Sequence, residues 1–477
     1  MLRMTPARGS LATALTLTVS VASAADQTNG LTPPQRQGRD ILRELVDIDT
    51  TVEHGSTTPA AEAMARRLRD AGFAADDVRV VGAPESRNHN LVARLCGTGK
   101  RRPVLFLAHL DVVEARREDW SFDPFKLTEQ HGYSYGRGTY DIKGGAATLV
   151  SAFARLRSSG FQPDRDLILA LTAGEEGARR DLNGVAWLLA QHRDLIDAAY
   201  CINMDSGDPQ IRKGRRLART VQASEKVFMS LRLEVTGAGG HSSLPTKDDV
   251  IYRLAAGLGR LGAYDFPARL NEVSRAHFVA MAPLQPSAVA GDLLAAARVP
   301  PDAAAIARLS ASPFYNAQLR TTCVATMLDG GHAENALPQR ARATVNCRML
   351  PDEVPAEVEA TIRRVLADDR IQVSVISAAE PGPASPLAPE VMEVVSRTTA
   401  ALWPGVPVLP VMETGATDGK FLRAAGLPTY GVSGIFIDID DVRAHGRDER
   451  IGVADFYDGL EYIHDLVRAV GQPAASP

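Results

Sequence analysis

Three short apolar segments of the chain are each followed by histidine or acidic residues whose side chains could bind metal ions. The residues concerned are His109, Asp111, Glu175, Glu176 and Asp205. Imidazole and carboxylate groups are ligands of zinc, and cobalt or manganese accept the same set. Two such ions held close together acidify a bridging water and direct it at a carbonyl carbon. The residue types therefore indicate metal-dependent hydrolysis.

The apolar segments themselves predict buried parallel strands. Segments 104–108 and 167–172 are short, apolar and bounded by loop residues, as strands covered on both faces are. Segment 198–204 ends in Asp205 in the same manner. Open α/β sheets bind ligands at the carboxyl ends of their strands. We therefore expect the residues that follow the three segments to point into a common cleft.

Two further candidate ligands come from loops. Asp141 lies in the glycine-rich segment 135–145, just before a predicted helix over 146–156, and His445 lies far down the chain. The set then contains three ligand carboxylates, those of Asp141, Glu176 and Asp205. Their negative charges, together with that of one bridging hydroxide, would neutralise two divalent zinc ions. The sequence therefore predicts a site for two metals.

The remaining acids predict a division of roles. Glu175 and Glu176 cannot both face one metal from a regular strand, so one can coordinate while the other stays available as a base. Asp111 lies two residues after His109 and is placed to accept the imidazole N–H and to fix its tautomer.

The pattern of apolar residues changes twice along the chain. Helical stretches alternate with apolar strands over 35–219, which predicts a doubly wound α/β domain. Strict alternation over 227–235 and 341–349 predicts an antiparallel sheet with one solvated face, and the α/β pattern returns after 380–383. The predicted fold class is therefore α/β: a doubly wound domain with a mostly parallel sheet, interrupted by an inserted α+β domain with an antiparallel sheet, which the family resemblance described below implies to be a lid on a catalytic domain. The predicted boundaries are 25–221, 222–382 and 383–477.

The N-terminus resembles a secretory signal. Arg3 and Arg8 precede an apolar stretch over 11–21, and Ala22-Ser23-Ala24 forms a small-residue cleavage pattern. The alternatives are an uncleaved membrane anchor or a disordered tail, but the stretch is too short and too rich in Thr and Ser for a spanning helix. We predict that residues 1–24 are removed, that the protein is secreted or periplasmic, and that it has no stable membrane insertion afterwards.

Composition limits the classes of partner. The 477-residue chain is 45% hydrophobic with a net charge of −4, which becomes −6 when the two leader arginines are removed. An acidic balance argues against nucleic acid and anionic membranes as partners. Cys323 and Cys347 lie in two alternating segments and could pair, although free thiols at all four cysteines are an equal alternative.

Three motifs in order resemble the M20 family of dinuclear zinc metallopeptidases, which includes glutamate carboxypeptidase, succinyl-diaminopimelate desuccinylase, aminoacylase and carnosinase-type dipeptidases. The motifs are HLD at 109–111, GRGTYDIKG at 136–144 and GEEG at 174–177. The resemblance implies a lid that often dimerises, so a homodimer through the lid is a possible assembly. It implies that His109 and Asp205 complete one zinc site and that Glu176 and His445 complete the other. Asp141 would bridge the two zinc ions, and Glu175 would be the general base. Asp111 would orient the imidazole of His109.

The resemblance also extends to the predicted lid. His241 resembles a lid histidine that, in dimeric members, reaches the neighbouring active site, whereas in a monomer it would be a turn residue. Asn335 and Arg348 resemble lid groups that contact substrate, the arginine suiting a carboxylate. Gly415 lies where the family has a glycine-rich substrate loop, and a structural turn is nearly as good an interpretation.

The resulting functional hypothesis is an exported zinc metallopeptidase that cleaves a peptide or N-acyl amide bond next to a free carboxylate. Its substrate would be a small peptide or an N-acyl amino acid, as in carboxypeptidases, dipeptidases or aminoacylases. Glu175 would take a proton from a metal-bridging water and return it to the leaving amine. The alternative is a catalytically silent zinc-containing binding protein on the same fold. All five ligands and the base are present, which favours the enzyme.

Overall fold

The computed structural model describes residues 30–177 and 180–473, so the predicted signal at 1–24 lies outside the described residues. The helices are α1 (Pro33–Val46), α2 (Thr58–Asp70), α3 (Lys143–Ser158), α4 (Gly184–Gln191), α5 (Arg193–Ile196), α6 (Val250–Gly262), α7 (Glu272–Met281), α8 (Ser287–Ala296), α9 (Ala303–Ser310), α10 (Pro313–Leu319), α11 (Pro355–Leu366), α12 (Pro389–Leu402), α13 (Gly419–Ala424) and α14 (Val453–Val470). In the described part of the chain, no helix has both the length and the apolar character needed to cross a membrane.

The strands form one large sheet and three smaller ones. They are β1 (Val78–Val81), β2 (Asn90–Leu95), β3 (Val104–His109), β4 (Thr128–Gln130), β5 (Tyr133–Tyr135), β6 (Leu167–Thr172), β7 (Tyr200–Asn203), β8 (Pro209–Arg212), β9 (Arg215–Glu225), β10 (Val227–Thr236), β11 (Gly240–His241), β12 (Thr322–Gly330), β13 (Ala336–Leu337), β14 (Arg340–Met349), β15 (Gln372–Ser377), β16 (Val408–Glu413), β17 (Thr429–Gly431), β18 (Ile437–Asp438) and β19 (Arg450–Gly452).

The large sheet has ten strands and is covered on both faces. Its order is β1-β2-β6-β3-β7-β17-β9-β8-β18, with β16 paired to β9, and the central strands β6, β3, β7 and β17 run parallel. Phe106 of β3 packs in the cluster with α1, α3 and α14, whereas Leu105 and Leu107 pack in the cluster with α4 and α13. Because each face needs apolar side chains, β3 and β6 are apolar at nearly every position. The strands predicted over 104–108 and 167–172 are thus confirmed.

A second unit is built on a four-stranded antiparallel sheet. Its order is β12-β14-β10-β15, and alternate residues of β10 and β14 pack in one core with α6 and α11. The predicted alternation is confirmed, since only one face of this sheet is packed. Cys323 and Cys347 lie opposite each other on β12 and β14 and form a disulfide, which decides between the two alternatives for these residues. Cys96 and Cys201 are free thiols.

Helices α7 to α10 form an additional apolar cluster. Phe278 and Leu293 are fully buried in this cluster. His277 Nδ1 donates to the carbonyl oxygen of Pro410 (2.9 Å), and Gln318 Nε2 donates to that of Met412 (2.9 Å). The cluster is therefore hydrogen-bonded to β16 of the large sheet.

A small three-stranded sheet brings two distant loops together. Its order is β19-β5-β4, and Arg450 of β19 pairs with Tyr135 of β5. The loop that follows β5 carries Asp141, and the loop that precedes β19 carries His445. The pairing therefore places these two residues at the same edge of the large sheet.

Candidate metal centre

The carboxyl ends of β3 and β7 and the loop after β5 bring one histidine and two acids together. His109 is the last residue of β3 and is 2% exposed. Its Nε2 lies 3.3 Å from Asp141 Oδ1 and 3.6 Å from Asp205 Oδ1. Within the described residues, this buried nitrogen has no well-aligned hydrogen-bond partner. A buried ring nitrogen that faces two carboxylates suits a cation placed between them.

A second histidine closes the other side of the cluster. His445 Nε2 lies 3.1 Å from Asp141 Oδ2 and 3.0 Å from Glu176 Oε2. Asp141 thus turns one oxygen toward each histidine, which is the arrangement of a bridging ligand. The His445 side chain is 53% exposed, so this side of the cluster is open to solvent.

The ligand atoms fall into two overlapping groups in which all atoms lie within 4.8 Å of one another. One group is His109, Asp141 and Glu176, and the other is His109, Glu175 and Asp205. The set of imidazole and carboxylate donors fits zinc, and it also fits manganese or cobalt. All five predicted ligands converge, and the Glu175 carboxylate lies at the same cluster. The structure therefore has a candidate metal-binding group at the predicted place.

The electrostatics of the cluster are those of acids crowded without a cation. Burial raises the pKa of the Glu175 carboxyl well above its usual range, and the negative charge of Asp205 adds to the shift. Burial likewise raises the pKa of Asp205 to about 7. Hydrogen bonds to Asp141 and Glu176 raise the pKa of His445 to about 10. Protons therefore occupy the cluster when no metal is bound, and a bound metal must displace them.

Asp111 uses different atoms from those expected. His109 Nδ1 donates to the main-chain oxygen of Asp111 (3.0 Å), whereas the carboxylate oxygen Oδ1 lies 3.9 Å away. The carboxylate instead accepts the main-chain N–H groups of Glu175 (3.2 Å) and Glu176 (2.9 Å). The imidazole tautomer is still fixed, with Nε2 facing the acids. The Asp111 side chain holds the Glu175-Glu176 loop rather than the ring.

Asp418 is a buried acid near the cluster that the sequence analysis did not single out. It accepts hydrogen bonds from Asn183 Nδ2 (2.5 Å) and Thr172 Oγ1 (3.3 Å), and Asn183 also donates to the Gly174 carbonyl (3.2 Å). Burial raises the Asp418 pKa to about 6. Asp418 therefore joins the loop that follows β16 to the loop that carries Glu175. Its position in the sequence, three residues after Gly415, could have identified Asp418 as a candidate.

Four further residues are predicted to act on a neighbouring active site (His241) or to contact substrate (Asn335, Arg348 and Gly415). His241 is exposed on β11, where its Nδ1 accepts the main-chain N–H of Ser243 (3.1 Å), and Asn335 lies on the same tip because its carbonyl accepts the Ser242 N–H (3.0 Å). The Arg348 guanidinium lies 5.0 Å from the ring centre of Phe228. Gly415 is exposed. In residues 30–177 and 180–473, no hydrogen bond or ion pair joins these four residues to the five candidate ligands. Their roles stay predictions.

Comparison with known proteins yields both sequence and structural relatives. Residues 105–469 match the model of peptidase family M20/M25/M40. The chain is 31% identical over 396 residues to N-fatty-acyl-amino acid synthase/hydrolase PM20D1 of Homo sapiens, covering 77% of this chain and 74% of the relative. It is 27% identical over 429 residues to succinyl-diaminopimelate desuccinylase of Magnetococcus marinus, covering 88% and 93%. The fold is similar to that of the M20 family metallo-carboxypeptidase Sso-CP2 from Sulfolobus solfataricus, with a TM-score of 0.68 at 16% identity, covering 91% and 99%. The predicted fold class, a catalytic domain with a lid, is confirmed.

Proposed function

Because the chain belongs to peptidase family M20/M25/M40 and is an enzyme, we propose that it hydrolyses the amide bond of N-acyl amino acids with the help of two zinc ions. The observation that carries the proposal is Asp141, whose two oxygens face two different histidines. The acyl specificity is favoured by the 31% identity to an N-fatty-acyl-amino acid synthase/hydrolase. The preference over dipeptides is part of the proposal.

The metal ligands divide as the geometry suggests. His109 and Asp205 would hold one ion, Glu176 and His445 would hold the other, and Asp141 would contribute an oxygen to each. When bound, the two ions supply positive charge that polarises the scissile carbonyl and acidifies a water. The boundaries 25–221, 222–382 and 383–477 are proposed as the limits of the domains that carry these residues.

Glu175 is proposed as the general base. Its main-chain N–H is held by Asp111 Oδ1 at 3.2 Å, so the side chain starts from a fixed position. The carboxylate takes a proton from the attacking water and then donates it to the leaving nitrogen. In the metal-free protein, burial and the neighbouring negative charge of Asp205 raise the pKa of this carboxyl well above its usual range.

The substrate carboxylate is proposed to bind the lid. Arg348 offers a planar guanidinium that can hold both carboxylate oxygens, and Asn335 offers an amide donor. His241 lies on the same tip as Asn335 and is proposed to act on the cleft of a second subunit, which requires a homodimer through the lid. Gly415, on the loop held by Asp418, would contact the substrate from the catalytic side.

A chelator-reversible assay tests the proposal. The purified protein is analysed for metal and then given N-acyl amino acids of increasing chain length beside unblocked dipeptides. We expect hydrolysis of the N-acyl substrates, its loss with a chelator and its return with zinc. Cobalt and manganese are tested in parallel. A strict requirement for a free amine would show a dipeptidase instead, and two bound zinc ions without hydrolysis would show the silent binding protein.

Export is a separate part of the proposal. We propose that residues 1–24 direct the chain across a membrane and are then removed. The mass of the protein recovered outside the cytoplasm should correspond to a chain that begins at Ala25. A full-length mass in that fraction would contradict cleavage.

A further inference from the structure

A buried ion pair joins the two loops that carry Asp141 and His445. Arg137 Nη1 donates to Glu449 Oε2 at 2.5 Å, and the two side chains are 3% and 0% exposed. Arg137 lies four residues before Asp141, and Glu449 lies four residues after His445. The pair therefore connects parts of the chain that only the folded structure brings together.

The second oxygen of Glu449 holds the main chain at Asp141. Glu449 Oε1 accepts the N–H of Tyr140 (2.9 Å) and the N–H of Asp141 (3.0 Å). The Glu449 carbonyl also accepts the N–H of Gly136 (3.1 Å). Because Asp141 presents one oxygen to each side of the cluster, a rotation of its peptide would displace both contacts. The position of the Glu449 carboxylate thus determines the position of the shared acid.

Arg137 makes the corresponding contact with the other loop. Its Nη2 lies 3.4 Å from the carbonyl oxygen of His445, and its guanidinium lies 5.0 Å from the ring centre of Trp120. The neighbouring Asp448 is held in turn by the N–H (2.8 Å) and hydroxyl (2.9 Å) of Ser121. A guanidinium with several fixed donors can hold a carboxylate and a carbonyl at once. Arg137 therefore fixes the segment that carries His445 relative to Glu449.

We infer that Arg137 and Glu449 are positioning residues of the metal centre, whose pairing sets the separation between Asp141 and His445. The inference rests on the proposed two-metal site and adds residues that touch neither substrate nor metal. Ligand-orienting groups of this kind change metal affinity by about 10- to 100-fold when removed. The ion on the His445 and Glu176 side should be weakened more, since both ends of the pair act on that side.

A second buried pair elsewhere provides a matched control. Glu225 Oε1 lies 2.7 Å from Arg423 Nη2, with the side chains 3% and 1% exposed. Glu225 also accepts the main-chain N–H of Thr417 (3.1 Å). The kinds of partner are the same, but within residues 30–177 and 180–473 neither Glu225 nor Arg423 is hydrogen-bonded to the main chain of a candidate ligand. Breaking either pair leaves a buried charge without its partner and should reduce stability to a similar degree.

The experiment compares Glu449→Gln with Glu225→Gln in the full chain. Zinc affinities are measured by competition with a chromophoric chelator, and unfolding is measured on the same metal-free samples. We expect Glu449→Gln to bind the zinc on the His445 and Glu176 side about 10- to 100-fold more weakly than the unchanged chain does. Glu225→Gln should lose stability with both zinc affinities unchanged. Equal zinc binding by Glu449→Gln and the unchanged chain would overturn the inference.

One outcome separates this inference from the proposed function, and a second variant keeps the inference testable if the first does not fold. If the unchanged chain binds no zinc, the proposed metal centre itself fails. If Glu449→Gln does not fold, Arg137→Lys serves instead, because lysine keeps the charge but cannot hold the carboxylate and the His445 carbonyl together. Arg137→Lys should then weaken one zinc selectively, and unchanged affinities in this variant would also refute the positioning role.

Discussion

Replacing Glu175 by glutamine separates proton transfer from metal binding. Glutamine keeps the shape of the side chain and removes its capacity to accept a proton. The loop should stay in place, because the contacts of Asp111 are made to the main-chain N–H groups of Glu175 (3.2 Å) and Glu176 (2.9 Å), not to their side chains. The substitution also removes a carboxyl whose pKa burial has raised. The metal-free variant should therefore be at least as stable as the unchanged protein at neutral pH.

The expected loss of turnover follows from the role of a general base. Such a group contributes about 10²- to 10⁴-fold to the rate, which corresponds to about 3 to 5.5 kcal/mol in the activation free energy at about 1.4 kcal/mol per factor of ten. We expect kcat to fall about 10³-fold or more, with little change in KM.

The assay measures kcat, KM and zinc content on the same preparation. Glu176→Gln is the matched control, since it changes the neighbouring acid in the same way but should lower zinc occupancy first. Full activity in Glu175→Gln would refute the base assignment. If activity and zinc content fall in equal proportion, Glu175 is a metal ligand and the base assignment is also wrong. The structure allows this outcome, because a Glu175 carboxylate oxygen lies within 4.8 Å of the ligand atoms of His109 and Asp205.

Three further changes test other parts of the structure. In metal-free protein, hydrogen bonds to Asp141 and Glu176 raise the pKa of His445 to about 10. The protonated imidazole therefore stabilises the fold fully below the usual imidazole pKa of about 6.5. This stabilisation is lost as the pH rises through about 10. His445→Asn should therefore be more destabilising at pH 6 than at pH 10 in urea titrations with chelator, and a difference that does not vary with pH would contradict the assignment. Reducing the Cys323–Cys347 disulfide, which spans 24 residues, should lower the free energy of unfolding by about 3 kcal/mol, and unchanged urea midpoints with reductant would argue against it. An added Cβ at Gly415 meets nothing within 4 Å, whereas at Gly207 it would lie 1.9 Å from a carbonyl oxygen. Gly415→Ala should keep the melting temperature and raise KM, Gly207→Ala should lower the melting temperature, and an unchanged KM in Gly415→Ala would remove that loop from the substrate site.

Much of the fold could be predicted because burial dictates residue type along a strand. The strand predicted over 104–108 is β3, and the strand predicted over 167–172 is β6. The alternation over 227–235 and 341–349 correctly identified a sheet with one packed face. Such patterns are local, so a single sequence is enough to carry them. The exact limits of the domains have no local pattern and stay predictions.

The candidate site was predictable only in part. Three of the five candidate ligands, His109, Asp141 and Glu176, lie in recognisable local motifs, and all five lie close together in the structure. The Arg137–Glu449 pair was missed because its members lie 312 residues apart and neither has a distinctive neighbour. The Asp111 carboxylate was assigned to the imidazole because spacing alone does not show how the chain turns after β3. In the structure, that turn presents the main-chain oxygen to the ring and turns the carboxylate toward the next loop.

The attachment of helices α7 and α10 to β16 restricts how the lid can move. The chain crosses between the two units at Lys226 and again after Ser377, and two crossings alone would permit a hinge rotation. The hydrogen bonds from His277 and Gln318 to β16 add a third point of attachment. They also satisfy carbonyl groups on a strand edge that could otherwise pair with another chain. A rotation of the whole lid would break these bonds, so we expect substrate to enter the cleft through smaller displacements at the lid tip near Asn335.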